Sequence, residues 1–477
     1  MEKFAEKDLI ENLFLKMQKK NNRNLTRKAF YDSKKYLDES RIVLPREHQN
    51  VMAYLSWSNI VVESLNEQLR LKGFRVGNNV KINQYFSDNQ LEADSVQVHR
   101  EAMIFGTSYV MIGRGDTSLG EPSVLISPES SLNCYGEIND RTRSLDNFIK
   151  VMKDSNGETI GFFYDKKSVI YFKIDGFGNV VETHREEHGL GIVPAVRFIN
   201  RPSGSNKNGT SEISKSIISM QTNAQTTFTE TGIARATYAT PHRYMLNMSE
   251  DSFVDADGNV ANEFDMYMSK MTVMTSSTDK NAKTPIVGQF AASSPEPFLA
   301  VIKAYALQIT AETGIPESYF GYHSAQPASA DAIRLQFNRL ASRAEERSVP
   351  FGYAWKQVMR IASLIDNGEI PEGFNADVKP LWKQFGIPTP AASADAVVKL
   401  VSAGVLDAKS EVTAAIAGIS PDDIAAMIEE RSRTADTGIL ELLKVTAKAA
   451  EDSNAAIKSA SDATRKEGNN GDSADIN

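Results

Sequence analysis

Sulfur chemistry is almost missing from this chain: Cys134 is the one cysteine in 477 residues. A lone thiol excludes an intramolecular disulfide and a cysteine-rich zinc site. It fits a reducing compartment, or a protein that makes no use of sulfur. Positive charge is not in excess either, with 53 Lys and Arg against 61 Asp and Glu and a formal net charge of -8. Strong nucleic-acid binders neutralise about six to ten phosphates, and a mildly acidic chain is poorly supplied for that. No uncharged apolar run reaches the roughly 20 residues of a bilayer span. The start, Met1-Glu2-Lys3-Phe4-Ala5-Glu6-Lys7, is charged where a secretion signal is apolar. No Walker loop, no G-x-G-x-x-G and no G-x-S-x-G is present, and no Ser/His/Asp or paired-carboxylate set can be assembled. The expectation is a soluble protein, cytoplasmic or carried on a particle, with no membrane span, cofactor or catalytic centre.

Hydrophobic residues at 41% and charged at 24% are ordinary for folded domains, and the length allows two or three of them. Residues 1 to about 107 read as helical, with segments near 5–19, 24–39, 47–70 and 88–105, the last closed by Gly106. The period then changes to two. Short strands are expected at 108–112, 123–126, 149–152, 161–164, 168–172 and 195–198. Hairpin-turn chemistry stands at Ser155-Asn156-Gly157 and at Asp175-Gly176-Phe177-Gly178-Asn179. This is an α+β body with an antiparallel sheet. Arg201 to Gly209 is a linker by composition.

From Ser211 to about Ala239 runs one helix rich in Ser, Thr, Gln and Ala. Its apolar stripe is thin: Ile213, Ile217, Met220, Ala224 and Phe228. Such a helix packs better against copies of itself or a narrow groove than against a private core. A β-rich insert follows, and a second helix starts at Ser294-Pro295-Glu296-Pro297, where a hydroxyl, prolines and a carboxylate favour a helix start. Gly314 and Pro316 end it. Two helices separated by a small β module predict an antiparallel pair carrying that module at its tip. A long helix begins near Ser329 and Asp331, with Ile333, Phe337, Leu340, Ala341 and Ala344 on one stripe. Between the helices lies Glu317-Ser318-Tyr319-Phe320-Gly321-Tyr322-His323-Ser324-Ala325-Gln326-Pro327, a compact loop with three aromatics and no catalytic groups. From Pro388 the composition shifts to Ala, Ser, Val and Asp. Helices are expected near 393–403, 409–417, 421–432 and 436–460, with a disordered end.

Several short patterns compete with plainer readings. His184-Arg185-Glu186-Glu187-His188 matches the H-x-x-E-H metal pattern, which needs both histidines on one helix face. Here it follows a hairpin turn and precedes Gly189 and Gly191, so strand and loop are expected. Arg114-Gly115-Asp116 reads as a strand-end turn. Asp255, Asp257 and Asn259 resemble the start of a calcium loop, but the glycine falls too early and Met266 stands where Glu is needed. Asn208-Gly209-Thr210 is a sequon with no route to glycosylation. Arg339, Arg343 and Arg347 share one helix face. They form either a solvated stripe partly paired with Glu346 or a row facing a polyanion or a neighbouring subunit. Tyr319, Phe320 and Tyr322 either form local core or line an opening.

A resemblance is carried by four pieces in order. These are Tyr31-Asp32-Ser33 with Trp57-Ser58-Asn59-Ile60-Val61-Val62-Glu63; Glu101-Ala102-Met103-Ile104-Phe105-Gly106-Thr107-Ser108-Tyr109-Val110; Thr313-Gly314-Ile315-Pro316-Glu317-Ser318-Tyr319-Phe320-Gly321 with Ala328-Ser329-Ala330-Asp331-Ala332-Ile333-Arg334; and Ser393-Ala394-Asp395-Ala396-Val397-Val398-Lys399-Leu400-Val401 with Gly404. Together they resemble the portal proteins of tailed bacteriophages, of the siphophage type found in phages of actinobacteria. The match spans most of residues 25–435. The 211–239 helix is richer in Thr and Gln than the family pattern, and the insert is hard to align.

The resemblance implies a ring, usually of twelve copies, at one capsid vertex of the virion, assembled in the host cytoplasm. Double-stranded DNA would enter through it, without sequence specificity, and later leave. Implied partners are the terminase large subunit, a head-tail adaptor, the major capsid protein and a scaffolding protein. Residues 1–210 would be a wing, 211–239 a stem helix, 240–294 a clip and 295–314 a second stem helix. Residues 315–329 would be a tunnel loop presenting Ser318, Tyr319, Phe320, Tyr322, His323 and Gln326 to DNA. Residues 330–388 would be the long channel or wing helix, bearing Arg339, Arg343 and Arg347; 389–450 would be a helical crown and 451–477 a disordered tail. The alternatives are a metal-dependent hydrolase using His184, Glu187 and His188, or another head-tail structural protein, although adaptors are usually small.

Overall fold

The computed structural model describes residues 2–34, 53–76, 81–175, 179–238, 243–247, 286–289, 294–322, 330–386 and 390–407, with Thr413 and Lys448. The chain divides into two compact units, Met1–Lys383 and Gln384–Asn477. The first opens with α1 (Glu2–Tyr31), α2 (Trp57–Asn66), β1 (Leu71–Arg75), α3 (Lys81–Asp88) and α4 (Leu91–Phe105). Eight strands follow: β2 (Thr107–Arg114), β3 (Val124–Glu129), β4 (Cys134–Ile138), β5 (Leu145–Lys153), β6 (Thr159–Tyr164), β7 (Ser168–Ile174), β8 (Val180–Glu187) and β9 (Ala195–Ile199). Then come α5 (Lys215–Tyr238), β10 (Arg243–Leu246), β11 (Ile286–Gln289), α6 (Glu296–Thr313), α7 (Ala330–Asn367), α8 (Phe374–Asp377) and β12 (Lys379–Trp382). In the second unit α9 (Pro390–Ser402) ends at Gly404, whose φ of 70° lets the chain turn out of the helix. The other helices expected in that unit, and the 451–477 tail, lie outside the described residues apart from helical Thr413 and Lys448.

All pairings are antiparallel: β4 to β8 form a five-stranded meander, and β3-β2-β9 a three-stranded sheet. Alternation places Ile149, Val151, Phe163, Ile170 and Phe172 on one meander face, where Ile10, Leu13 and Met17 of α1 cover them. The sequence reading split this region into helices at 5–19 and 24–39. Instead one helix runs to Tyr31, because the polar stretch between them docks on the sheets: Asn21 donates to the Leu132 carbonyl. Strand β4 escaped the reading, and of β8 only the 184–188 end was expected as strand and loop. Strand β8 buries only Val180 and carries charge along an outer edge, a pattern that discourages pairing with other chains. Strand β1 also escaped it, since its partner β12 lies some 300 residues away in sequence.

The stretch at 201–209, a linker by composition, is held in place. Asn200 N donates to Gly106 O at 3.0 Å, and Thr210 N to Asn200 O at 2.7 Å. A Cβ on Gly209 would come within 2.2 Å of the Gly106 carbonyl oxygen, so only glycine fits there.

Helix α7 passes against β9, β12 and α4 through an aromatic cluster. Trp355 Nε1 donates to His99 Nε2 at 2.8 Å, which leaves His99 Nδ1 to carry its proton toward Leu69 O at 3.2 Å. The imidazole stacks on Phe351 at 5.0 Å, and Phe198 lies 4.8 Å from Trp355. Helix α5 uses its threonines inward: Thr222, Thr226, Thr227, Thr229 and Thr231 each donate to the carbonyl four residues back. That accounts for a Thr-rich helix with few apolar anchors. Ser214 Oγ, at the start of α5, donates to Glu312 at the end of α6 over 2.9 Å. The two helices pack side by side and are therefore antiparallel. Strands β10 and β11, which join them, pair at the far end.

One buried carboxylate ties these parts together. Glu212 N donates to Met103 O at 2.9 Å. Its side chain accepts from Asn200 Nδ2 at 3.0 Å, Arg347 Nε at 3.0 Å and Arg343 Nη2 at 2.8 Å. Arg201 stands 3.6 Å away. Burial pushes the Glu212 carboxyl up, yet Arg347, Arg343 and Arg201 outweigh it and hold it below the usual carboxylate value.

Two outcomes follow. Glu212→Gln strands two guanidiniums in the interior and should lower stability by about 3–5 kcal/mol, while Arg347→Met, which leaves Glu212 paired with Arg343, should cost less. Denaturant unfolding of both variants checks the order. Burial pushes the His99 imidazole down to about 3. The unfolded chain, with histidine near 6.5, binds the extra proton first as pH falls. Stability is therefore complete above pH ~6.5 and is lost on acidification at up to about 1.4 kcal/mol per pH unit. Between pH 7 and 5, His99→Gln should show about 2 kcal/mol less acid loss than the native chain.

Candidate functional site

The loop between α6 and α7 is framed by helix ends. Gly314 ends α6 with a φ of 71°, and Ile315 behind it is fully buried, anchoring the turn. Residues Glu317–Phe320 then form one 3-10 turn capped by Gly321. Phe320 sets its edge against Trp57 at 5.9 Å, and Tyr319 does the same against Phe337 at 6.0 Å. Lys303 Nζ lies 5.8 Å from the centre of the Tyr322 ring. All three aromatics are half-buried, so they fix the loop while keeping one side open. Ser318 is exposed at the crest. His323 and Gln326 lie outside the described residues. Of the six loop residues singled out in the sequence, four are thus brought together on one short turn.

The Arg339, Arg343 and Arg347 row does share one face of α7, which runs from the surface at Arg339 into the interior at Arg347. Arg339 Nη1 donates to the Ala311 carbonyl at 2.8 Å, at the negative end of α6. A Cβ on Gly314 would come within 2.6 Å of the Arg339 side chain, so the arginine stem lies directly over the cap. Arg343 and Arg347 meet Glu212, and Arg347 also holds Glu346 at 2.6 Å. The expected Glu346 contact is there, but Arg347 is buried, at 4% exposure, so the row is not a solvated stripe. Sequence reading missed Glu212. The signal was a lone carboxylate three residues past a linker, with nothing local to mark its partners 131 and 135 residues on.

The histidine pattern falls on β8 and the turn after it. His184 Nε2 stands 3.0 Å from Glu186 on its own strand, while His188 Nε2 faces the Asp165 carbonyl at 3.2 Å and its Nδ1 accepts from Leu190 N. A strand does not bring the two rings onto one metal as a helix turn does. No group of three or more His, Cys, Asp or Glu among the described residues is arranged to hold a metal ion. Arg114 donates to Ile365 O at 2.9 Å, and Asn208 accepts from Arg197, so the Arg-Gly-Asp triplet and the sequon are parts of the fold. The 255–259 turn lies outside the described residues. No described helix is long and apolar enough to cross a membrane. Among the described residues the arrangement offers surfaces and a loop, with no set of groups poised for bond making.

Known proteins share this chain's sequence over most of its length. The portal protein of Mycobacterium phage L5 is 27% identical over 391 residues, covering 79% of this chain and 78% of its own. That of Mycobacterium phage D29 is 28% identical over 397 residues, covering 80% of each. Among solved structures, a chain from the virion of a native gene transfer agent particle aligns with a TM-score of 0.41 at 15% identity, over 80% of this chain and 95% of that one. A chain from the neck of such a particle, computed with C12 symmetry, gives 0.38 at 13%, over 79% and 94%. Residues 19–435 match the model of the phage portal proteins of the SPP1 Gp6-like kind, and the chain belongs to that family.

Proposed function

We propose that copies of this chain close into a ring of twelve at one vertex of a phage capsid, and that double-stranded DNA passes through the ring during packaging and again at ejection. The observation that carries the reading is the α5–α6 pair. It is a slender antiparallel couple, tipped by the β10–β11 ribbon, with Phe228, Leu299, Val301 and Leu307 left exposed along it. Leu335, Val349 and Tyr353 are exposed on α7 as well. Apolar side chains in that number on neighbouring helices call for cover, and a rotational ring supplies it by matching two different faces of each subunit.

In this reading residues 1–210 form the wing, α5 and α6 the stem, 240–294 the clip, and 389–450 a crown inside the head. The clip meets the terminase large subunit during packaging and a head-tail adaptor afterwards. The wing meets the major capsid protein and scaffolding protein, and the ring assembles in the host cytoplasm before it becomes part of the virion. The loop at 315–329 is the segment nearest the duplex. It offers Ser318 beside aromatic rings and no cation of its own between Ile315 and Tyr322. A surface of that kind slides along a duplex, since non-specific grip comes from phosphate neutralisation. Arg339, Arg343 and Arg347 act behind the loop as its scaffold. No catalytic step belongs to the chain; the motor supplies the work.

Negative-stain images of the purified protein should show rings with a central hole at least as wide as a duplex, and end-on views should count twelve subunits. A compact, stable monomer at high concentration in the ultracentrifuge would overturn the ring. For the loop, Ser318→Asp adds one carboxylate per subunit around the opening. It should leave ring assembly intact and cut DNA packaged per head several-fold, while Ser318→Ala packages normally. Equal packaging by both would remove the loop from the DNA path.

A further inference from the structure

Leu119 is the most exposed large apolar side chain among the described residues, at 76%. It stands at the tip of the β2–β3 hairpin, on one 3-10 turn, Thr117–Leu119. Asp116 caps that turn: its carboxylate accepts from Ser118 N at 2.9 Å and from Ser118 Oγ at 2.5 Å. Glu121 Oε2 accepts from Asp116 N at 2.8 Å, and Gly120, with a φ of 81°, lets the chain turn back. At the neck a Cβ on Gly115 would come within 2.0 Å of the Pro122 carbonyl oxygen, so the two strands close tightly there. The root is held by Arg114, which donates to Ile365 O, and by Asn89, which donates to Val124 O, each at 2.9 Å. The tip is thus ordered by its own bonds. It holds a leucine out in water between two exposed carboxylates, Asp116 and Glu121. A segment ordered in advance loses little freedom when it docks.

A cavity of matching chemistry lies beside α3 and α4. It is open, measures about 720 Å³, and is lined by Arg70, Phe86, Ala93, Val96 and Arg100 among others. Phe86 and Val96 make an apolar floor, at 9% and 8% exposure. Arg70 makes no ion pair among the described residues, and Arg100 is held by Glu63 through Nε and Nη2. The carboxylate on the rim, Glu92, is already taken by Lys72 at 2.6 Å. Such a cavity asks for an apolar side chain that arrives with negative charge. Its size lies in the range of sites that enclose a ligand of several side chains, roughly 300–1,000 Å³. We infer that the Asp116–Glu121 tip of one copy seats in this cavity on the next copy. Leu119 then covers Phe86 and Val96, and the tip's carboxylates face Arg70 and Arg100. Asn89 binds the hairpin root to the α3–α4 turn of its own chain, which keeps the tip out of its own cavity. Knob and socket are different faces of one subunit, as a rotational ring requires. The inference rests on the ring reading and names one contact of its wing, apart from the stem and the loop.

The test uses the full chain in the form it assembles. Cys134 is buried, so a short bis-maleimide linker reaches introduced cysteines instead. Thr117→Cys combined with Ala93→Cys should give a covalent ladder of dimers, trimers and longer chains on a denaturing gel. Neither single variant should ladder, nor should Thr117→Cys combined with Val181→Cys on β8, where the side chain is exposed but far from the cavity lining. Leu119→Asp should raise the subunit concentration needed for assembly about tenfold or more, the worth of one buried leucine. Its subunit should unfold as the native one does, while Leu119→Met assembles normally. Native-looking rings of the Thr117→Cys, Ala93→Cys chain that give no ladder overturn the contact and leave the ring reading standing. Assembly of Leu119→Asp at the native concentration does the same, and so does a ladder from Thr117→Cys alone, since tip would then meet tip. A native chain that never assembles overturns both readings. A ladder without closed rings supports the contact and removes only the closure.

Discussion

Glu212 stands where the strand body ends and α5 begins, and almost no solvent reaches it. A carboxylate in such surroundings survives in charged form only if cations and donors encircle it. Here they come from two directions: Asn200 and Arg201 from the end of β9, and Arg343 and Arg347 from α7. Its own backbone is tied to α4 through Met103. One charge thereby fixes the angle at which α5 leaves the body and the height at which α7 crosses it. Arg339, one turn earlier on α7, closes the end of α6, and Ser214 meets Glu312 across the helix pair. The stem pair and the long helix are set by polar contacts at their base because their apolar stripes are too thin to set them.

The same economy explains why the molecule looks unfinished alone. Helix α5 buries Ile217, Met220 and Ala224 and satisfies its many threonine hydroxyls within itself, so it needs little from its own chain. Among the polar residues that it and its neighbours leave outward stand Phe228, Leu299, Val301, Leu307, Leu335, Val349 and Tyr353. A fold with its rigid joint inside and its greasy faces outside is suited to repetition around an axis.

Long, well-punctuated segments were legible in the sequence. Pro295 and Pro297 at one end and Gly314 at the other bracketed α6 to within a residue or two, and Gly106 closed α4 where its left-handed conformation requires glycine. Strands that bury one face, such as β6 and β7, announced themselves by alternation. What stayed hidden depends on distant partners. Strand β1 exists because β12 pairs with it; β8 is polar at nearly every position and is a strand only because β7 holds it. The polar middle of α1 reads as a helix break until Asn21 finds Leu132 and Lys20 finds Thr107. At the candidate site the aromatic loop was legible and its packing against Trp57 and Phe337 was not. The arginine row was legible as a row, but its direction was set by Glu212, which no local pattern could disclose.

That direction bears on function more than the row itself. A chain with 53 Lys and Arg could coat a channel with positive charge and bind its cargo tightly. Instead the arginines behind the loop are engaged by the chain itself, Arg339 by a helix end at the surface and Arg343 and Arg347 by a buried carboxylate, and the short turn beside them presents a hydroxyl and ring edges. In the proposed ring, each guanidinium held by the chain itself strengthens the scaffold and takes one phosphate contact away from the opening. On that proposal, rigidity of the wall and weakness of its grip are consequences of the same side chains, and a conduit for a moving polyanion needs both.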